Sequence, residues 1–156
     1  MDKPIIELEN IEHSPALSEE TPAFTAGLLI DGKRVGSVRN SGQGGAHFYD
    51  TTLSHGDIRN LDERIRATYP PTPSSAGPLD ETLDSLISGL VLDDTLRKDL
   101  VRLMAERILV LHDGGVRQTK GTDVPIEEVR KDFPGAIILN ELAIEDAVAA
   151  VRRELL

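Results

Sequence analysis

Residues 23–40, Ala-Phe-Thr-Ala-Gly-Leu-Leu-Ile-Asp-Gly-Lys-Arg-Val-Gly-Ser-Val-Arg-Asn, decide the fold. Two runs rich in apolar and β-branched residues, Ala23 to Ile30 and Arg34 to Asn40, flank Asp31-Gly32. That dipeptide reaches positive φ readily and so favours a tight two-residue turn, which predicts a β-hairpin. Closing the hairpin at Asp31-Gly32 sets Ala23 opposite Asn40 and brings the segments beyond them together. Before the hairpin, Pro4 to Ile11 mixes β-branched and alternating polar residues and predicts a further strand, and His13 to Thr21 reads as a loop. After it, the glycine-rich run Ser41 to Ala46 is too permissive to hold regular structure, and His47-Phe48-Tyr49 predicts a short strand.

Farther along, Ile58, Leu61, Ile65 and Tyr69 recur at helical spacing from Asp57 until Pro70 stops the pattern. Four prolines between Pro70 and Pro78 forbid both sheet and helix, so this segment reads as the linker. Leu79, Leu83, Leu86, Ile87 and Leu90 then form one apolar helical face. A second helix, capped by Asp93 or Asp94, carries Leu96, Leu100, Leu103 and Met104, and the two predict a helical hairpin. Ile108 to Leu111 and Val116 to Lys120 flank Asp113-Gly114 as a second β-hairpin. Pro125 opens a short helix bearing Ile126, Val129 and Phe133, Ala136 to Leu139 reads as a buried strand, and a final helix from about Ala143 stripes Ile144, Ala147, Val148, Val151 and Leu155. The fold class is therefore α+β: a mainly antiparallel sheet from two β-hairpins plus added strands, packed with four or five amphipathic helices. The 156 residues are read as one domain, 1–156, with pseudo-lobes 1–69 and 79–156 joined by 70–78 as the variant.

Composition narrows the chemistry. Lys and Arg number 17 against 27 Asp and Glu, a formal charge of −10, which opposes an electrostatic grip on nucleic acid or anionic lipid. The chain has no Cys, which removes thiol chemistry, disulfides and Cys-ligated metals. Its start lacks the pattern of a secretory signal and no stretch is apolar for long enough to span a membrane, so a cytoplasmic protein with no membrane partner is expected.

The hairpin geometry gathers a polar cluster: Glu19, Glu20 and Thr21 on one side, and Asn40, Gly42, Gly44, Gly45 and, just beyond, His47 on the other. Carboxylates, a hydroxyl, an amide and glycine N–H groups supply the donors and acceptors of a recognition site. Against this stands a purely architectural account in which Ser18 and Thr21 cap turns and the glycines provide positive φ. The glycine run leads to His-Phe-Tyr instead of a helix N-terminus, and no Gly-Lys-Ser or Gly-Lys-Thr is present, so it does not read as a phosphate cradle. His47, Asp50, His55 and Asp57 are metal-ligand types without a metal-site spacing, and Ser18 or Ser54 with His55 lacks a Gly-x-Ser-x-Gly elbow. No catalytic residue, metal or cofactor is assigned.

Ser18-Glu19-Glu20-Thr21, Phe24, Asp31-Gly32-Lys33 with Gly36, and Asn40-x-Gly42-x-Gly44-Gly45, followed by Lys120-Gly121 and Ile138-Leu139-Asn140, together resemble a group of small proteins of bacteriophage, prophage and related bacterial genomes that has no established activity. The resemblance spans about two thirds of the chain and implies a bacterial or phage cytoplasmic setting. It transfers no catalytic residue. The expected function is a non-enzymatic binding or regulatory protein that contacts another macromolecule, a protein more than a nucleic acid. The alternatives are a metal-assisted hydrolase using Glu19, Glu20, His47 and Asp50, and a structural homo-oligomer. The binding account predicts that Glu20→Ala with Asn40→Ala weakens a partner and leaves the melting temperature nearly unchanged.

Overall fold

The computed structural model describes residues 2–119, 121 and 123–155, without the side chain of Leu155; Lys120, assigned above to a strand and to the resemblance, lies outside the described residues, as does the Leu155 side chain of the last helical stripe. The fold is α+β, with four α-helices and two antiparallel sheets among the described residues. The chain divides into two compact units, Met1–Leu92 and Asp93–Leu156.

The first unit is a meander, β1 (Ile6–His13), β2 (Phe24–Ile30), β3 (Lys33–Asn40) and β4 (Phe48–Thr51), in the spatial order β1-β2-β3-β4. Asp31 and Gly32 form the turn between β2 and β3 with φ of 52° and 80°, the positive values that the Asp-Gly dipeptide predicts. Register differs by one residue from the simple hairpin: Phe24, not Ala23, faces Asn40, because Val35 is an extra residue in β3 between the pairs Leu28–Gly36 and Leu29–Arg34. Gly36 makes that bulge compatible with β4, since a Cβ there would lie 2.1 Å from the Asp50 carbonyl oxygen. A similar irregularity in β1, between Glu9 and Glu12, is accompanied by Asn10 at φ 51°.

One face of this sheet is the core face. Ile6, Phe24, Ala26, Leu28 and Val38 pack with Leu61 and Ile65 of α1 (His55–Thr68) and with Leu83, Ile87 and Val91 of α2 (Leu83–Glu106). Helix α1 begins one turn earlier than its first stripe residue because Ser54 and Asp57 form a reciprocal capping box. The proline segment belongs to the first unit, where Thr72 and Leu79 bridge; the division between units falls instead at Leu92–Asp93.

Helix α2 corrects the expected helical hairpin, for Leu83–Glu106 is one continuous helix. Asp93 and Asp94 are interior residues and not caps. Their charge is met by cations, Asp93 by Arg152 at 3.0 Å and Asp94 by Lys98 at 2.6 Å, and no Gly or Pro between Leu90 and Leu96 interrupts the turns.

In the second unit β5 (Leu109–His112), β6 (Gly115–Gln118) and β7 (Ile137–Ile138) form a sheet in the order β6-β5-β7, so the two hairpins seed separate sheets. Asp113 and Gly114 repeat the positive-φ turn, at 50° and 71°. Strand β5 is buried on both faces: Leu109 and Leu111 pack with Ala147, Val148 and Val151 of α4 (Ile144–Leu155), and Val110 packs with Val129 of α3 (Ile126–Asp132). This explains why its sequence is a continuous apolar run without alternation. Asn140 ties the layer together, accepting from Leu109 N–H at 2.7 Å and donating to the carbonyls of Met104 and Arg107. Among the described residues, no helix is long and apolar enough to cross a membrane.

Candidate functional site

The two polar stretches at the open end of the β2–β3 hairpin do meet. The Gly42 carbonyl accepts from the N–H groups of Glu19, Glu20 and Thr21 at 3.0, 2.9 and 3.3 Å. Gly42 sits at φ +84°, and a Cβ there would lie 2.2 Å from the Leu17 carbonyl oxygen, so the approach requires glycine. Ser18 closes the adjoining turn by accepting from Ala23 N–H and donating to the Ser14 carbonyl.

Asn40 is the hub. It is 5% exposed, and its side chain makes four bonds. Oδ1 accepts from the Thr21 hydroxyl at 2.8 Å and from Gly42 N–H at 2.9 Å; Nδ2 donates to the Gly45 carbonyl at 3.4 Å and to His47 Nδ1 at 3.1 Å. The amide orientation is forced, because Gly42 N–H has only a proton to offer and must face the oxygen. Thr21 in turn accepts from Gly44 N–H at 3.2 Å. Asn40 is thus part of the frame, and the expectation that its truncation spares the melting temperature is replaced: losing these bonds leaves buried groups without partners.

The Asn40 amide also fixes the imidazole of His47. Nδ1 accepts, so the ring proton resides on Nε2, which donates to the Ser88 hydroxyl oxygen at 2.9 Å. The ring stands edge-on to Phe24 with centroids 5.2 Å apart, and His47 N–H donates to Asp84 Oδ2 at 3.1 Å. Asp84 Oδ1 receives the Tyr49 phenol hydrogen. Burial, then this bond, raises the Tyr49 phenol above its ordinary value of 10.0.

Ser88, His47 and Asn40 are therefore linked in line, in the positions of a nucleophile, base and orienting group, and Ser88 and His47 line a small pocket of about 90 Å³. Their wiring is the reverse of catalytic. A general base would need a bare Nε2 to take the serine proton and a protonated Nδ1 held by an acceptor; here Asn40 presents a donor to Nδ1. The line is a tie from the glycine loop to α2.

Nor do Glu19, Glu20, His47 and Asp50 converge as a metal-assisted hydrolase requires. Asp50 lies on β4 opposite Ser37, and His47 is committed to Asn40 and Ser88. Among the described residues no group of three or more His, Asp or Glu side chains is placed to hold a metal ion. Asp57 is engaged in the capping box and His55 opens α1.

What remains available at this end is the outer surface. Register pairs Glu12 with Thr25, Thr25 with Arg39, and Arg39 with Phe48, so these four form one row across the sheet on the face opposite the core. Phe48 is 59% exposed, with the Arg39 guanidinium 5.5 Å from its ring centroid, and Leu17 is 62% exposed. A groove of about 370 Å³ runs along this end, lined by Glu12, His13, Leu17, Phe24, Thr25 and Ser41 among others. Glu19 and Glu20 are exposed on the loop that follows Leu17; their N–H groups are engaged by Gly42, and the Glu20 carboxylate lies over Gly44, where a Cβ would meet Oε2 at 2.5 Å.

Of the residues gathered by sequence, Thr21, Asn40, Gly42, Gly44, Gly45 and His47 build the frame, and Glu19 and Glu20 face solvent. Asp84 and Ser88 were missed, although two polar residues at i and i+4 beside the apolar stripe Leu83, Ile87, Val91 are a legible signal of a buried tie. Leu17, Arg39 and Phe48 left a weaker one, since a single exposed apolar residue in a loop or a short strand does not stand out. No family model, curated protein or solved structure matches the chain.

Proposed function

We propose that this is a non-enzymatic binding protein that acts by contact with another protein, through the hairpin end of its first sheet. On the resemblance described above, the proposed setting is the bacterial cytoplasm, in the service of a phage or prophage. The observation that supports the binding reading is the contrast between the two sides of this end. Inside, Asn40 and Gly42 hold the loops by a closed set of hydrogen bonds; outside, Leu17 and Phe48 are more than half exposed on that rigid frame. A pre-ordered surface loses little conformational freedom on association, and an aromatic backed by a guanidinium is the kind of group that carries interface energy.

Capture from bacterial lysate on the immobilised chain, quantified by mass spectrometry, tests it. A stoichiometric protein partner retained by the native chain and lost on Leu17→Ser with Phe48→Ser is expected, with the melting temperature of the double variant unchanged. Absence of any stoichiometric partner, or a partner retained equally by both, overturns the proposal.

A further inference from the structure

Resting on that binding reading, we infer that the groove and outer row take a basic segment of a partner protein, anchored by one large apolar side chain. The apolar part of the argument is the groove itself. Phe24 and Ala23 line it, Leu17 stands exposed on its wall, and Phe48 lies at the far end of the row that begins with Glu12 in the same groove.

Charge chooses the occupant. On the outer face β1 carries Glu7, Glu9 and Glu12, β4 carries Asp50, and the adjoining loop carries Glu19 and Glu20. Glu9 is answered by Arg34 at 2.8 Å. Glu7, Glu12, Glu19, Glu20 and Asp50 have no ion pair among the described residues, and the remaining cation of the rows, Arg39, is laid over Phe48. Glu12 in the groove wall, Glu7 and Asp50 farther along the same outer face, and Glu19 and Glu20 on the loop that follows Leu17 give this side of the sheet an acidic balance that complements Lys and Arg flanking an apolar residue. A second copy of this chain fits poorly, because at a formal charge of −10 it would bring carboxylates against carboxylates, and a nucleic acid would be repelled by the same surface.

The test uses the full chain and three labelled synthetic peptides of about a dozen residues: Lys/Arg-rich with a central Phe, the same with that Phe replaced by Ser, and the same with Lys/Arg replaced by Glu. Fluorescence anisotropy at low and high salt, with amide shift mapping by NMR, reads binding and place. The basic apolar peptide is expected to bind at least about tenfold tighter than either control and to weaken severalfold with salt. Its shifts should centre on the segments around residues 12–25 and 39–48. Leu17→Ser with Phe48→Ser should lose binding about tenfold, and Glu12→Gln with Glu19→Gln and Glu20→Gln should weaken it and flatten the salt dependence. Equal binding of the acidic or Ser peptide, shifts centred elsewhere, no binding of any peptide, or self-association of the chain that blocks this face would overturn the inference. If lysate capture still yields a partner lost on Leu17→Ser with Phe48→Ser, but insensitive to the Glu→Gln changes, binding at this end stands and its partner chemistry does not; if both capture and peptides fail, both fall.

Discussion

At the scale of single residues, Asn40 and His47 show how an apparent catalytic line is turned into a brace by the direction of one hydrogen bond. Asn40→Ala removes four bonds and leaves Gly42 N–H without its acceptor, so it is expected to lower stability by about 2–4 kcal/mol in denaturant unfolding. Asn40→Asp is more informative. A carboxylate replaces the donor facing Nδ1, and the ring proton should move from Nε2 to Nδ1, which the 15N shifts of the imidazole report directly; an unchanged proton position would refute the wiring described above. Tyr49 adds an alkaline prediction. Its phenol titrates higher in the folded chain than its ordinary 10.0, because burial and the bond to Asp84 oppose ionisation. Its contribution is complete below pH 10.0 and declines above it, as the unfolded phenol ionises and the folded one resists. Tyr49→Phe should therefore flatten the loss of stability above pH 10.0 and lower neutral stability by about 1–2 kcal/mol, checked by denaturant melts from pH 8 to 11.

Among the elements, α2 separates two readings of one stretch of sequence. If Asp93 capped a second helix, Asp94 would occupy its first position, where proline is well tolerated. In the continuous helix Asp94 is interior, and Asp94→Pro is expected to cost about 3 kcal/mol or more, with a loss of helical circular dichroism. The misreading has a plain cause: paired aspartates after Leu90-Val91-Leu92 look like a cap, and although Lys98 stands one helical turn from Asp94, the cation that answers Asp93, Arg152, is identifiable only once the chain is folded. Both Asp-Gly turns were legible because positive φ is a local demand written into residue type. The one-residue register change was not, because Val35 bulges in answer to its neighbours across the sheet. The same distinction runs through the site. Proximity of Glu19–Thr21 to Gly42 followed from a turn, whereas the division between frame and surface depended on which side chains Asn40 and α2 would reach.

For the molecule as a whole, each compact unit carries, among the described residues, one carboxylate held below its ordinary range. Asp57 is lowered by its bond from the Ser54 backbone, and Glu145 by the Arg97 guanidinium, which reaches it at 2.6 and 2.9 Å. A depressed folded value stabilises above the unfolded value and is lost as pH falls through the folded one, so melting temperature should drop below about pH 4. Asp57→Asn and Glu145→Gln should each make the acid limb shallower in thermal melts; variants that follow the native curve would exclude these groups as its source. The strand order of the first sheet carries a kinetic consequence. Since β1, β2, β3 and β4 lie side by side as they follow along the chain, each can zip onto a neighbour already delivered, with only modest loops to close. In the second sheet β5 acquires β7 only after α3 has intervened, so its third strand faces a longer search, whereas the sheet bearing the groove pairs every strand with its neighbour along the chain.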